Sequence, residues 1–435
     1  MSICIIGLGK LGYPMAEFLS SSGLSINCYD HNEKLVLDLK KGINPLEFEK
    51  GLSSYRKNGN KLNYFLNIHD ALEGSEICFI TVTTPSNPNG SFSNANIISV
   101  LEKISSFLKN RKKGLDPFVI NINSTLSPGS ISKELIPFLE SAGLKNNVDF
   151  IFIYNPYFVA LGDVVEGLES PDLVLIGHEN KFGLNKLLSI YNKIYHEDSL
   201  RILNFKEAEL TKLLVNSFLT LKISFSNMVK DIIRSEKNIN VSKILATVGS
   251  DSRIGKKFLK AGGPYSGPCL PRDNLALKNF SDEKNFQNYL NDGIINTNVH
   301  TFNLIKDQIK LLKNYKINSI IFAGIGYKPN TPSLEESFVI DLVNFASSKN
   351  IKVYYYDEYI TQKIKNCTRI ESSNIEKYSN LIFLPYVDKK FYTLANFKGY
   401  IWDIWHQIEG DNVIRNISEI NKTNIQKSNI INYNF

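Results

Sequence analysis

The chain has 435 residues, more than one ordinary domain holds, and its 43% hydrophobic and 21% charged content excludes disordered and fibrous classes. The formal net charge of +7 is spread along the chain instead of gathered in a stripe. That argues against a nucleic-acid partner and leaves a mild positive field suited to an anionic small molecule.

Cys4, Cys28, Cys78, Cys269 and Cys367 are scattered, odd in number and without metal-ligand spacing. Neither a metal site nor a disulfide framework is expected, and a reducing, cytoplasmic compartment is. The sequence opens straight into a strand, and no apolar run approaches the roughly 20 residues that span a bilayer. No leader and no membrane partner are expected.

In chain order, residues 2–6 form a short apolar run, as a parallel strand buried on both faces requires. Gly7-Leu8-Gly9-Lys10-Leu11-Gly12 follows, then a helical pattern over 14–22 and a second strand over 25–29 that closes at Asp30. Strands are predicted over 77–82, 118–122, 150–154 and 173–176, with helices over 97–108 and 130–142 between them. Strands alternating with helices predict a doubly wound parallel sheet.

Residues 206–234 lack Gly and Pro and carry apolar residues at helical spacing (Leu210, Leu213, Leu214, Phe218, Leu221). One long helix is predicted, able to bridge two domains or to offer a dimer interface, within a helical middle that runs to about residue 310. The first plan then repeats: strand over 317–323, Gly324-Ile325-Gly326, helix over 334–348, strand over 351–356, Asp357. Further strands are predicted over 381–384 and 400–402, and the Asn-rich tail after Asn412 is expected to fray. The fold class is therefore α/β: two Rossmann-like doubly wound parallel-sheet domains (1–203 and 311–435) joined by a central all-helical domain (204–310).

The first glycine turn follows a strand, opens a helix and is trailed by Asp30 at close to the expected spacing of about 20 residues. Gly7 permits the tight turn, Gly9 lets the backbone approach a diphosphate, and Gly12 allows helix and strand to touch. Lys10 and Leu11 complete the turn, and the diphosphate sits on the helix N-terminus. Asp30 would accept from ribose hydroxyls. His31 and Asn32 offer no fixed cation for a 2′-phosphate, so NAD is favoured over NADP. The alternative is a structural turn that binds nothing. The second Gly-x-Gly lacks a third glycine and could hold a different nucleotide.

Lys212 and Asn216 share one face of the long helix, whereas Ser217 and Lys222 do not. By themselves they read more readily as a solvated polar stripe. The Gly/Pro-rich segment Gly262 to Asp273 holds one Cys and enters a helix with Pro271 in its first turn. A thiol beside a helix N-terminus is favoured as thiolate, and Asp273 could orient a water. The bland reading of Cys269 is an inert core thiol, which suits the other four cysteines.

These motifs together resemble the UDP-glucose/GDP-mannose dehydrogenase family over nearly the whole length. The resemblance rests on Gly7 to Pro14, Thr84-Pro85, Ser124-Thr125 with Pro128-Gly129, Asn155-Pro156, and Glu209 with Lys212 and Asn216. It continues through Asp251 to Gly255, Gly267 to Asp273, and Tyr327 to Thr331. It implies oxidation of the C6 alcohol of a nucleotide hexose to a carboxylate with two NAD, UDP-glucose being the first choice of substrate. By resemblance, Cys269 attacks the aldehyde, Lys212 and Asn216 hold the oxyanion, and Thr125 and Asp273 position water. Thr84, Pro85 and Thr125 join the cofactor site. Tyr157, Phe158, Tyr265, Gly267, Tyr327 and Lys328 join Lys212 and Asn216 at the substrate, with Arg253 offered across a homodimer.

The sequence departs from the family pattern at four places. Tyr157 stands where a Glu serves as hydrolytic base, Glu335 replaces an Arg before Glu-Ser, Ile404-Trp405-His406 replaces an Arg after Asp403, and Ser266 replaces a glycine. A tyrosine of ordinary pKa near 10 is a poor base at pH 7; Asp163, Glu166 or an Asp273-bound water could substitute. Alternatives are an enzyme that stops at the aldehyde or passes the acyl group elsewhere, and a nucleotide-sugar binding protein without turnover. A two-electron β-hydroxyacid dehydrogenase ranks last, having no place for the Cys loop.

Overall fold

A computed structural model describes residues 2–57, 62–112, 114–236 and 238–422. The chain forms two compact units, Met1–Leu214 with Asp282–Lys284, and Val215–Ser281 with Asn285–Phe435. The division falls inside the long helix, Phe205–Ile232, rather than before it. The reason is packing: Phe205 and Ala208 are buried in the core of the first sheet and so tie the helix's first turns to it.

The first unit is built on strands β1 (Ser2–Ile6), β2 (Ser25–Tyr29), β3 (Leu62–Phe65), β4 (Ser75–Ile80), β5 (Phe118–Ile122), β6 (Phe150–Tyr154), β7 (Val174–Gly177) and β8 (Leu200–Leu203). Their order is β3-β2-β1-β4-β5-β6-β7-β8, parallel except where β7 runs against β6. Helices cover both faces and divide the core in two, one side centred on Ile3, Ile5 and Phe79, the other on Cys4, Ile6 and Ile80. Alternate residues of β1 thus point into opposite cores, which is why the run is apolar throughout. Strands β3 and β8 were not expected; as edge strands they are partly exposed, and LNYF and LRIL carry no continuous apolar signal.

The helix expected over 130–142 is a π-helical turn, Ile131–Leu135, followed by an α-helix, Ile136–Ser141. Pro137, which has no N–H to donate, sits at the join.

The second unit carries β9 (Ser319–Ala323), β10 (Lys352–Tyr356), β11 (Thr368–Arg369), β12 (Leu381–Leu384), β13 (Tyr400–Asp403) and β14 (Val413–Ile414) in the all-parallel order β11-β10-β9-β12-β13-β14. The tail expected to fray is ordered at first, since Ile414, Ile417 and Ile420 are buried in the second core; its remainder, 423–435, lies outside the described residues. The helix expected from 334 begins at Phe338, where the Ser337 side chain caps it by accepting from Val339 N. Among the described residues no helix is long and apolar enough to cross a membrane.

Glu209 fixes the long helix to the first unit. Its fully buried carboxylate accepts from the backbone N–H groups of Gly129 and Ile131 at the start of the π-helical turn. Burial outweighs those two bonds and pushes its pKa up to about 7. The folded state therefore holds a proton that the unfolded chain has released, and this contribution to stability is present below about pH 4.3 and lost as pH rises through 7. Thermal melts between pH 5 and 8 are expected to show that decline. Glu209→Gln should flatten it while costing about 1–3 kcal/mol for the bond it cannot make; an unchanged slope would refute the assignment.

Candidate active site

The first glycine turn has the geometry that its sequence predicts. Gly7 adopts φ +98°, open to glycine at little cost. A side chain at Gly12 would overlap the Gly7 carbonyl and the Thr81 hydroxyl. Gly9 has no atom within 4 Å of where a Cβ would sit, so the space above the helix Gly12–Ser21 is open. Asp30 closes the turn: its carboxylate accepts from Leu8 N at 2.7 Å and from Asn32 N at 2.8 Å. Exposed backbone at a helix N-terminus with a carboxylate ending the next strand fits NAD, whose diphosphate Gly9 would receive and whose ribose hydroxyls Asp30 would accept from. Lys10 is exposed and Leu11 half-buried beside this opening. Thr84 donates its hydroxyl to the Thr125 carbonyl at 2.8 Å, which joins the loops after β4 and β5 at the same sheet edge, with Pro85 exposed next to them.

The second glycine turn repeats the bond but not the cradle. Ile325 N donates to Asp357 at 3.1 Å, the counterpart of Leu8 and Asp30. Gly326, however, faces the carbonyl oxygens of Lys328, Thr331 and Ser333, and Gly324 lies against the Tyr386 hydroxyl. Three carbonyl acceptors crowd the place where Gly9 faces open space, and the following helix starts a full loop later, at Phe338. The second turn thus lacks the open backbone of the first, and a different nucleotide there would have to be held in another way.

Lys212 is buried and donates to the Tyr157 carbonyl at 2.9 Å, with its ammonium 4.4 Å from the centre of the Phe158 ring. The carbonyl uses one of three N–H donors, so donors remain for an oxyanion. The Tyr157 hydroxyl turns the other way, 2.7 Å from the Tyr191 hydroxyl. Burial and the neighbouring Tyr191 raise its pKa well above the ordinary tyrosine value. At the position where the family carries a base, this chain presents a carbonyl and no titrating group. Asp163 is engaged by Lys50 at 2.9 Å.

Within the second unit, Cys269 is exposed and immediately precedes the helix Leu270–Asp282. Cys4, Cys28 and Cys78 are buried, so the inert-thiol reading holds for them and fails for Cys269. Asp273, one turn into that helix, accepts from Asn216 Nδ2 at 2.6 Å. Asn216 thus reaches the first turn of the helix that the thiol precedes. Gly267, at φ +83°, packs on the Tyr327 ring, where any side chain would overlap it. Tyr265 is buried, its backbone exchanging two hydrogen bonds with Asn298. Lys328 is half-buried on the loop after β9. Arg253 is exposed and forms a two-point pair with Asp251, Nε–Oδ1 at 3.0 Å and Nη2–Oδ2 at 2.7 Å. Where an Arg was expected after Asp403, Arg415 instead reaches Asp403 at 2.7 Å. Burial, with Arg415 and Lys230 nearby, holds His406 down to about 3, so at neutral pH it carries no charge to replace that Arg.

Side chains that sequence reasoning missed include Tyr191, Asn227, Lys230 and Asn298. Asn227 had a legible signal. Ser217, Thr220, Ser224 and Asn227 recur at helical spacing and are all buried, a polar stripe that the apolar one on the same helix obscured.

An open diphosphate cradle on a parallel sheet defines the class as a dinucleotide-dependent oxidoreductase. Residues 1–195 match the NAD binding domain of the UDP-glucose/GDP-mannose dehydrogenase family and residues 206–300 its central domain. The UDP-glucose 6-dehydrogenase of Rickettsia felis is 30% identical over 393 residues, spanning 89% of this chain and 83% of the relative. A UDP-glucose dehydrogenase structure from Pyrobaculum islandicum superposes with a TM-score of 0.84 at 23% identity, over 93% of this chain and 94% of that one. A UDP-D-ManNAc dehydrogenase structure from Pyrococcus horikoshii gives 0.79 at 21%, over 93% and 96%. The chain belongs to the UDP-glucose/GDP-mannose dehydrogenase family and is an NAD-dependent dehydrogenase of nucleotide sugars.

Burial raises the Cys4, Cys28 and Cys78 thiols well above their ordinary value and Cys367 to about 11. Limiting iodoacetamide at pH 7 is therefore expected to label Cys269 first, and Cys269→Ser should abolish the fast phase. Peptide mapping that finds the first label on Cys367 would overturn the exposed-thiol assignment.

Proposed function

We propose that this enzyme oxidises the C6 hydroxyl of UDP-glucose to the carboxylate in two steps through Cys269. The observation that carries the reading is the exposed thiol at a helix N-terminus, one turn from the Asp273–Asn216 pair. NAD, when bound, supplies the oxidant, accepting a hydride from C6 in each step. Between them the Cys269 thiolate adds to the aldehyde carbon, forming a thiohemiacetal and keeping the intermediate from escaping. Lys212 and Asn216 donate to the oxygen that becomes negative. Asp273 accepts from Asn216 and so fixes which way its amide points. Water then attacks the thioester, releasing the carboxylate and returning the thiol. Such a thiol must stay reduced, which suits the cytoplasm. The named Rickettsia relative supports UDP-glucose as substrate, while the ManNAc enzyme keeps other hexoses as competitors in the test.

One observation favours a second reading, in which the reaction stalls before the acid. The Tyr157 hydroxyl faces Tyr191, so no side chain at that position can activate the hydrolytic water. Incubation with NAD and a panel of UDP- and GDP-hexoses distinguishes the outcomes. Full oxidation gives about two NADH per sugar, none with Cys269→Ser beyond the first step, and free uronate. About one NADH per sugar, or an acyl group that stays on the protein until hydroxylamine removes it, supports the second reading.

A homodimer is part of the proposal. Phe218, Phe225, Met228 and Ile232 are exposed, and with Leu221 they recur at alternating three- and four-residue spacing along the long helix. An exposed apolar seam of that period suits pairing with a second copy. Phe218→Glu with Met228→Glu is expected to convert the dimer to a monomer by light scattering; a parent that is already monomeric would sink the idea.

A further inference from the structure

The segment that delivers Cys269 begins at Gly262-Gly263, and that origin is gripped from both sides. On the long helix, Asn227 is 2% exposed and makes a paired contact: its Oδ1 accepts from Gly262 N at 2.8 Å and its Nδ2 donates to the Gly263 carbonyl at 3.1 Å. One turn on, Lys230 donates to the Gly262 carbonyl. From the second sheet, the Trp405 indole lies flat against Gly262, where any side chain would overlap it, and is itself held by Nε1 to the Pro385 carbonyl at 2.9 Å. Asn298 then holds Tyr265, and Gly267 N donates to the Glu336 carbonyl at 2.9 Å.

We propose that Asn227 is a positioning residue for Cys269, setting where the thiol meets its carbonyl carbon by fixing the two glycines from which the loop departs. An amide is the side chain that the site requires, because a neighbouring N–H and C=O must be satisfied together. Aspartate would set an acceptor against the Gly263 carbonyl, and leucine would leave both groups buried without partners. Glycines at 262 and 263 give the chain freedom that nothing local restrains, so the restraint has to come from the helix and from Trp405. A shift of about 1 Å at the reacting sulfur is enough to cost about a hundredfold in rate.

The catalytic consequence rests on the thiol mechanism proposed above. The first oxidation needs no thiol and the second does. Displacing the loop is therefore expected to release aldehyde, lowering NADH per sugar from about two toward one, with the KM for NAD unchanged. The test uses full-length Asn227→Leu and, should that fold poorly, Lys230→Met, which removes only the donor to the Gly262 carbonyl. Hydrogen exchange of peptides covering 262–268 should accelerate about tenfold or more, semicarbazide should trap aldehyde, and kcat should fall at least tenfold. Unchanged exchange overturns the grip. Faster exchange with the parent's NADH ratio and kcat overturns the positioning role. If the parent oxidises no nucleotide sugar, the functional reading falls by itself; the rate of Cys269 alkylation then decides, and a rate within twofold of the parent overturns the proposal.

Discussion

A buried carboxylate that accepts the Leu8 backbone N–H governs the cofactor half of this enzyme. Asp30, at the end of β2, takes the Leu8 N–H at 2.7 Å and so closes the turn between β1 and its helix. That leaves Gly9 facing open space at the positive end of the helix. The second unit makes the equivalent bond between Asp357 and Ile325, yet its own loop returns three carbonyl oxygens over Gly326. The same hydrogen bond closes both turns, and what lies above the glycine decides whether an anion can approach.

The long helix carries most of the remaining order. Its apolar seam faces outward, while the buried polar side chains Thr220, Ser224 and Asn227 hold the elements around it. Thr220 pairs with Asn274 and Ser224 reaches the Ile294 carbonyl. Each such bond contributes only about 1 kcal/mol, but leaving one partner buried and unmet costs more. These side chains thereby specify one arrangement of the thiol loop more sharply than an apolar face would.

Two of the four departures from the family pattern share a physical character. Tyr157 turns its hydroxyl to Tyr191 and leaves a carbonyl facing Lys212, and Trp405 packs against the glycines before Cys269. His406 stays neutral beside Arg415. At both places packing stands where a charge was expected.

Much of this was legible in the sequence. The alternation of apolar runs and helical patterns determined two parallel sheets with a helical spacer, because strands buried on both faces cannot alternate with polar residues. The glycine turn and Asp30 were legible because each needs one residue type at one spacing, whereas Lys212, Asn216 and Cys269 by themselves also suited a solvated stripe and a core thiol. Edge strands β3 and β8 were not, since partial exposure erases their pattern. Tertiary structure alone decided which thiol is exposed, which way Tyr157 points, that Gly326 is covered, and that Asn227 meets two glycines far along the chain. Those outcomes depend on side chains brought together from distant segments, and no local pattern encodes them.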